Sequence, residues 1–363
     1  MIVGCNADAD PSTSSAESNA TSEHHLPGFD ETILVGGEQG EIAIVHVGDK
    51  LSKNTVKTSK KNAPSVVQTF GAKFHLVYED GTLLVVDAAT GAVDKSLAIG
   101  EAPSDIALAS DTEAWVASKK GMLTKLDLAS GAPRATLDLK EGELRRLLLD
   151  GDRLYVQIAR KKNDKADRGA LAVVDTKTAT VTKTIELEGV DLRTNTTLAG
   201  LEPDLPMVID RKRNQLWVTA IGQRPSNTGL VARIDLATLT VHDVLRAQSG
   251  FQGAVVMHEP FDELFIVYHT STPTTSSHLF TGTLGEGGAV EQRNKTLVDA
   301  FDGLDALVLN GSGTLAVMAN ACFTGFCIGG AGLNFVDAKT KAVLPKLKAD
   351  VIGFEPVLVQ IRR

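Results

Sequence analysis

Two cysteines, Cys322 and Cys327, lie five residues apart in the segment NACFTGFCIGG. A short loop that contains glycine can bring two such sulfurs within bonding distance, and a stable disulfide indicates an oxidising compartment. Two free thiols are one alternative; a zinc site is the other, but zinc prefers four ligands. Phe323 and Phe326 lie between the cysteines. Held outward by a disulfide they would anchor a partner, whereas the alternative is that both rings fold back over the protein.

Other polar side chains in the chain could bind a metal or a ligand. His269 and His278 flank the connection HTSTPTTSSH, and paired imidazoles can hold a transition metal, although no third ligand is visible. Arg224, in the connection IGQRPSNTG, is a candidate ligand contact.

A set of acids precedes the predicted inner strands of the fold described below. Converging carboxylates attract a hard cation such as calcium, so the set predicts a divalent cation site at the mouth of a central channel. Solvated loop acids are the alternative, and no other cofactor is predicted. The members of the set are Glu101, Glu141, Glu202, Asp302 and Glu355.

Composition excludes some classes of protein. The formal net charge is −8 and the isoelectric point is about 5.5, whereas a nucleic-acid-binding protein usually has a basic face and a high isoelectric point. No run of eighteen apolar residues marks a membrane-spanning helix. The chain also lacks the G-x-S-x-G, H-E-x-x-H, P-loop and C-x-x-C-H motifs.

A repeat of about forty residues runs along most of the chain. It is visible when residues 80–118 are compared with residues 120–157, because both contain alternating strands joined by an Asp-x-x-Ser/Thr turn. In such a turn the carboxylate accepts hydrogen bonds from backbone amides that follow it, so the aspartates are predicted to be structural. They are Asp87, Asp127, Asp175, Asp235 and Asp337.

Each repeat begins with an inner strand and continues with a second strand. The seven inner strands are centred near Val66, Ile106, Leu147, Met207, Val256, Leu307 and Leu358. The second strand TILVGG (32–37) has no inner strand before it, and the inner strand PVLVQI (356–361) has no second strand after it. Pairing between these two segments would complete seven four-stranded units and remove the exposed edges of an open stack.

The segment GTLLVVDAATGAVDKSLAIGEAPSDIALA resembles the YVTN-type repeat of bacterial seven-bladed β-propellers, and the repeat is clearest over residues 60–140. The resemblance implies an all-β fold over residues 30–363, a seven-bladed β-propeller of four-stranded antiparallel blades. It implies little about activity, because related propellers serve as binding scaffolds, lipoproteins and enzymes.

The first residues, MIVGC, resemble the end of a bacterial lipoprotein signal, with Cys5 as the residue that would be lipidated. The charged start and most of the apolar core of such a signal are missing. Residues 1–29 are therefore predicted to be a truncated signal-like start and a disordered tether. This predicts a lipid-anchored protein of the bacterial cell envelope; an N-terminal tail without function is the alternative.

The long connections between predicted strands should all leave from one face, because strand direction alternates within a blade. They are residues 160–169, 186–203, 221–229, 269–278, 293–303 and 320–332. Long loops on a rigid scaffold usually carry recognition, so we expect a binding module that engages an envelope or extracellular protein or ligand, without nucleic acid and with a membrane only through the anchor. The alternative is an envelope enzyme, lactonase-like or quinoprotein-like, that acts on a small substrate at the channel mouth.

Overall fold

The computed structural model describes residues 26–140, 142–160, 169–187, 190–191, 207–222, 230–246, 251–258, 262–270, 276–286, 290–293, 297–301, 304–320 and 330–362. These residues form strands almost throughout. The sheets have four strands, except that two of them carry one additional short strand.

Blades I to IV follow the repeat closely. Blade I contains β1 (Glu31–Gly37), β2 (Ile42–Val47) and β3 (Ser52–Thr55). Blade II contains β4 (Val66–Phe70), β5 (Lys73–Val77), β6 (Thr82–Asp87) and β7 (Val93–Ala98). Blade III contains β8 (Pro103–Leu108), β9 (Glu113–Ser118), β10 (Met122–Asp127) and β11 (Pro133–Asp138). Blade IV contains β12 (Glu143–Asp150), β13 (Arg153–Ala159), β14 (Gly169–Asp175) and β15 (Thr180–Leu187).

Blades V to VII complete the ring. Blade V contains β16 (Val190–Asp191), β17 (Met207–Asp210), β18 (Gln215–Gly222), β19 (Leu230–Asp235) and β20 (Val241–Arg246). Blade VI contains β21 (Phe251–His258), β22 (Glu263–Thr270), β23 (Ser276–Leu284), β24 (Val290–Arg293) and β25 (Val298–Phe301). Blade VII contains β26 (Leu304–Leu309), β27 (Leu315–Asn320), β28 (Gly332–Asp337) and β29 (Val343–Lys348), followed by α1 (Ala349–Ile352) and β30 (Pro356–Ile361).

In blades V and VI, two short strands pair with different parts of the same neighbouring strand, which gives each sheet its fifth strand. β16 and β17 both pair with β18, and β24 and β25 both pair with β23. The sequence prediction assigned all of 293–303 to a connection, whereas the structure places Val298–Phe301 in β25 because it pairs antiparallel with the start of β23.

The inner strands form a closed ring around one axis. Each contacts the inner strand of the next blade, in the order β30, β4, β8, β12, β17, β21, β26 and back to β30. The fold is therefore an all-β, seven-bladed β-propeller, and all seven inner-strand centres predicted from the repeat lie in these strands. No helix among the described residues is long and apolar enough to cross a membrane.

The ring closes by pairing of the last strand with the first. β30 runs antiparallel to β1, from Ile33 opposite Ile361 to Gly36 opposite Leu358. A second contact supports the same closure. The Lys53 Nζ atom in β3 donates hydrogen bonds to the carbonyl oxygens of Val351 (3.2 Å) and Ile352 (2.9 Å) in α1. The closure predicted from the unmatched segments at the two ends is confirmed.

The hydrophobic core lies between blades, as side chains from adjacent sheets interdigitate. The third residue of the second strand is buried in every blade and is bulky in most of them, because it packs in this layer. These residues are Ile33, His75, Trp115, Tyr155, Trp217, Phe265 and Val317.

The Asp-x-x-Ser/Thr turns are held as the sequence predicts. In blade II, the Asp87 Oδ1 atom accepts hydrogen bonds from the backbone amides of Ala89 (3.1 Å) and Thr90 (2.9 Å) and from the Thr90 hydroxyl (2.9 Å). Both amide contacts recur at each of the other four turns. With Arg134 beside it, the pKa of Asp127 falls to about 2. The aspartates are structural, and their carboxylates are committed to the turns.

We expect that deleting residues 356–361 abolishes cooperative unfolding. The deletion removes the partner of β1 and the buried side chains of Val357, Val359 and Ile361, each of which contributes roughly 1.5–3 kcal/mol when fully buried. Circular dichroism during urea denaturation would measure the change. Deleting only residues 362–363 is the matched control and should preserve a cooperative transition; an unchanged transition after the larger deletion would show that closure is dispensable.

The buried His75 should make the protein less stable in acid. Burial lowers the pKa of His75 from 6.5 to about 4, so between these values the unfolded chain binds a proton that the folded chain excludes. Stability should therefore fall by on the order of 3 kcal/mol as the pH drops from about 6.5 to about 4. Urea denaturation across this range would show the loss in the wild type and a smaller one in His75→Phe. An equal loss in both proteins would assign the effect to other groups.

Candidate functional site

The two faces of the propeller carry connections of different length. We call the end of the sheets where the second strand leads into the third the upper face, and the opposite end the lower face. On the upper face, blades I to III have short connections at 38–41, 78–81 and 119–121. The corresponding segments of blades IV, V and VII are longer, at 160–168, 223–229 and 321–331. On the lower face, the inner strand and the second strand are joined by segments as short as 71–72 and 151–152.

Most of the residues predicted for the site lie outside the described residues. They are Cys5, Glu141, Glu202, Arg224, Asp302, Cys322, Phe323, Phe326 and Cys327. The disulfide, the aromatic anchor and the lipid attachment therefore stay predictions. For the residues in connections between strands, the flanking strands show only where each connection begins and ends.

Two acids of the predicted cation site are described. Glu101 is exposed and forms an ion pair with Lys120 of the same blade, which lowers its pKa. Glu355 is also exposed, directly before β30. In the described parts of the chain, no three His, Cys, Asp or Glu side chains converge as metal ligands would. A cation at the channel mouth thus depends on Glu141, Glu202 and Asp302, and it stays a prediction.

The two candidate histidine ligands lie on adjacent strands of blade VI. His269 in β22 pairs with Ser277, and His278 in β23 pairs with Tyr268. The two histidines are therefore offset by one position and are not direct cross-strand partners. A metal between them stays a prediction.

The structure reveals a polar cluster that the sequence reading missed, on the inner strands of blades III and IV. We call Ser104, Asp105, Arg145 and Arg146 the inner-strand polar cluster. The pairing of β8 shifts between Pro103 and Asp105, and that of β12 shifts between Leu144 and Leu147. Such β-bulges bend a strand and re-aim its side chains, and they are common next to functional sites.

Direct contacts join the cluster across the boundary between the two blades. Asp105 is only 2% exposed, and its Oδ2 atom accepts a hydrogen bond from the backbone amide of Leu147 at 2.7 Å. In the opposite direction, the Arg146 guanidinium donates to the backbone carbonyl of Ser104 at 3.2 Å. These contacts cross-link two neighbouring inner strands.

The remaining charges of the cluster are balanced, as burial requires. Arg145 is 9% exposed and forms an ion pair with Glu143 at 2.8 Å. Among the described residues, the buried Ser104 hydroxyl has no hydrogen-bond partner and no activating base beside it. The cluster thus offers hydrogen-bonding groups that could orient a polar ligand, but not an assembled nucleophile and base.

A sequence signal for this cluster did exist. Asp105 interrupts the otherwise apolar end of EAPSDIALA, and two adjacent arginines interrupt EGELRRLLLD. A charged residue inside an inner strand must be paired when it is buried, whereas an acid that precedes a strand is not bound by this constraint. The polar positions within the strands were therefore the more informative ones.

Comparison with known proteins supports the fold class. No family model matches the chain, and no curated protein matches its sequence. A proposed 6-phosphogluconolactonase from Bacteroides fragilis has a similar structure, with a TM-score of 0.61 and 11% identity over 96% of this chain and 100% of that one. A proposed 6-phosphogluconolactonase from Bacteroides uniformis gives a TM-score of 0.58 and 12% identity over 92% of this chain and 100% of that one.

The β-propeller domain of Cps50 (Swd1) from Myceliophteria thermophila is also similar, with a TM-score of 0.54 and 13% identity over 81% of this chain and 89% of that one. At such identities the likeness shows the fold alone. Fold and comparisons together define the class of the protein as a seven-bladed β-propeller.

Loss of the Asp105 carboxylate should destabilise the protein. In Asp105→Ala the Leu147 amide would be buried without its acceptor, which costs about 1–3 kcal/mol. Urea denaturation would measure this cost. Asp111→Ala, which removes an exposed acid from the lower turn of the same blade, is the control and should change stability by less than about 0.5 kcal/mol. Equal stabilities of the two variants would show that the cross-link between the strands is not stabilising.

Proposed function

We propose that this protein is a non-enzymatic binding module that recognises a protein or extracellular ligand through its upper face. The supporting observation is the distribution of connections, since the long ones of blades IV, V and VII all begin and end on that face. Loops that a rigid scaffold positions are a common place for recognition.

The scaffold meets the requirement for rigidity. The ring is closed by β1 and β30, and side chains of successive inner strands connect blades III and IV. Recognition loops that start from fixed strand ends lose less conformational entropy on binding. The predicted contacts Phe323, Phe326 and Arg224 belong to such connections.

The start of the described chain favours a particular orientation at a membrane. The Leu26 amide donates a hydrogen bond to the Gly48 carbonyl at 2.8 Å, and the Leu26 side chain is 3% exposed. Gly48 follows β2 and lies on the lower face. A lipid anchor at Cys5 would therefore attach through the lower face and leave the upper face directed away from the membrane. This orientation suits a bacterial envelope protein that meets its partner outside the bilayer.

An envelope enzyme that acts on a small substrate is the second candidate. The inner-strand polar cluster favours it, because buried charged groups next to the axis of a propeller can orient a substrate. Two similar structures are described as proposed 6-phosphogluconolactonases, which supports a lactone as the first substrate class to test. At 11% and 12% identity this support is limited to the fold.

Substitution on the upper face should weaken partner binding. We expect the Phe323→Ser/Phe326→Ser variant to weaken capture of an envelope partner by at least about tenfold, because aromatic anchors often contribute 2 kcal/mol or more. Cross-linking in native envelopes, then titration with the purified partner, would measure the loss.

Phe70→Ser is the matched control, since Phe70 is 38% exposed at the lower end of β4. Loss of binding in Phe70→Ser and retention in the double variant would contradict an upper-face site. Lactone hydrolysis by the purified wild-type protein, with no protein partner recovered, would favour the enzyme.

A further inference from the structure

The lower face carries an open hollow where the first and last strands of the propeller meet blade II. Its volume is about 390 Å³, which is within the range of small-molecule sites. The start of β1, the residue after β30 and the turn between β4 and β5 surround it. Its lining residues are Asp30, Glu31, Thr32, Gly71, Ala72 and Arg362.

Charges of both signs face this hollow, and the charge of Arg362 acts on the Glu31 carboxylate without a direct ion pair between them. Among the described residues, neither the Asp30 carboxylate nor the Arg362 guanidinium forms an ion pair or a side-chain hydrogen bond. Asp30 and Arg362 line the same space, so a ligand can reach both.

Glu31 strengthens the acidic side of the hollow. The Asn310 amide of blade VII donates a hydrogen bond to its carboxylate and holds it in place. Burial raises the pKa of Glu31 and the neighbouring Asp30 raises it further, whereas the hydrogen bond from Asn310 and the charge of Arg362 lower it; the net shift is upward. A second cation next to this carboxylate would favour its ionised form further.

Gly71 and Thr32 also line the hollow. A side chain built on Gly71, which has a φ of +57°, would meet no atom within 4 Å. The Thr32 hydroxyl is hydrogen-bonded to the His46 Nδ1 atom at 3.0 Å and is thus fixed. Polar groups fixed by their own contacts can orient a ligand without a large entropic cost.

We propose that this hollow binds a small zwitterion of the amino-acid class, with its ammonium group at Asp30 and Glu31 and its carboxylate at Arg362. A simple anion would be repelled by the two carboxylates, and a simple cation would leave the guanidinium unpaired. A molecule that carries both charges satisfies both sides at once. This site is separate from the upper face of the proposed function and does not depend on it.

Such a ligand would join three parts of the closure. Asp30 and Glu31 lead into the first strand, Arg362 follows the last strand, and Gly71 belongs to blade II. A ligand that binds only the folded protein stabilises it in proportion to its concentration above the dissociation constant. Binding should therefore raise the melting temperature of the whole ring.

The experiment uses the full chain and the twenty common amino acids, each added separately. Thermal melting would first identify an amino acid that raises the melting temperature, and isothermal titration calorimetry would give its affinity. The N-acetyl and carboxamide derivatives of that amino acid each lack one charge, and both should bind at least about tenfold more weakly, since each loses one charge-assisted contact.

Two variants locate the site. Arg362→Gln and Glu31→Gln should each reduce affinity by about tenfold or more, and the glutamine at position 31 still accepts the hydrogen bond from Asn310. Arg153→Gln and Asp111→Asn change exposed charges elsewhere on the lower face and should bind as the wild type does. If Glu31→Gln fails to fold, Arg362→Gln decides the result. Absence of any stabilising amino acid, or affinity unchanged in Arg362→Gln, would overturn the proposal.

Discussion

The pairing of β30 with β1 is the interaction on which the rest of the structure depends. Strands from opposite ends of the chain share one sheet, so the ring is closed by hydrogen bonds and burial, not by a covalent link. Closure also creates the last layer of the core, since Val35 and Val359 are packed together with Leu315 and Leu333 of blade VII. Without this pairing, blades I and VII would each expose an apolar sheet face and an unpaired edge.

Once the ring is closed, the fold separates structural and variable residues. The turns that follow the third strands are structural, because their aspartate carboxylates accept hydrogen bonds from backbone amides. The second strands are buried on both faces and pack between blades. The connections are not committed in this way, and among those that join second to third strands the longest belong to blades IV, V and VII. A propeller therefore changes its partner without changing its core.

The inner ring is also where buried charge is tolerated. Asp105 and Arg146 connect two neighbouring inner strands, and each contacts the backbone of the other blade. Burying a charged side chain costs desolvation energy, and its hydrogen bonds offset this cost only if their geometry is good. The hollow on the lower face is different, because Asp30 and Arg362 remain solvated and open to a ligand. The two polar sites thus differ in exposure, since Asp105 is buried whereas Asp30 and Arg362 are exposed.

The sequence by itself determined the blade repeat, the Asp turns and the closure, because each depends on local signals: alternation along a strand, a carboxylate beside its own turn, and two unmatched segments at the ends. It also indicated which face carries the long connections, since strand direction alternates. The sequence could not show that Asp105 reaches the Leu147 amide or that Arg362 shares a hollow with Glu31. Those contacts join residues that are distant in sequence or lie on different blades. The bulges of β8 and β12 and the packing of adjacent sheets bring Asp105 to Leu147, whereas the pairing of β30 with β1 and the packing of blade II beside them form the hollow.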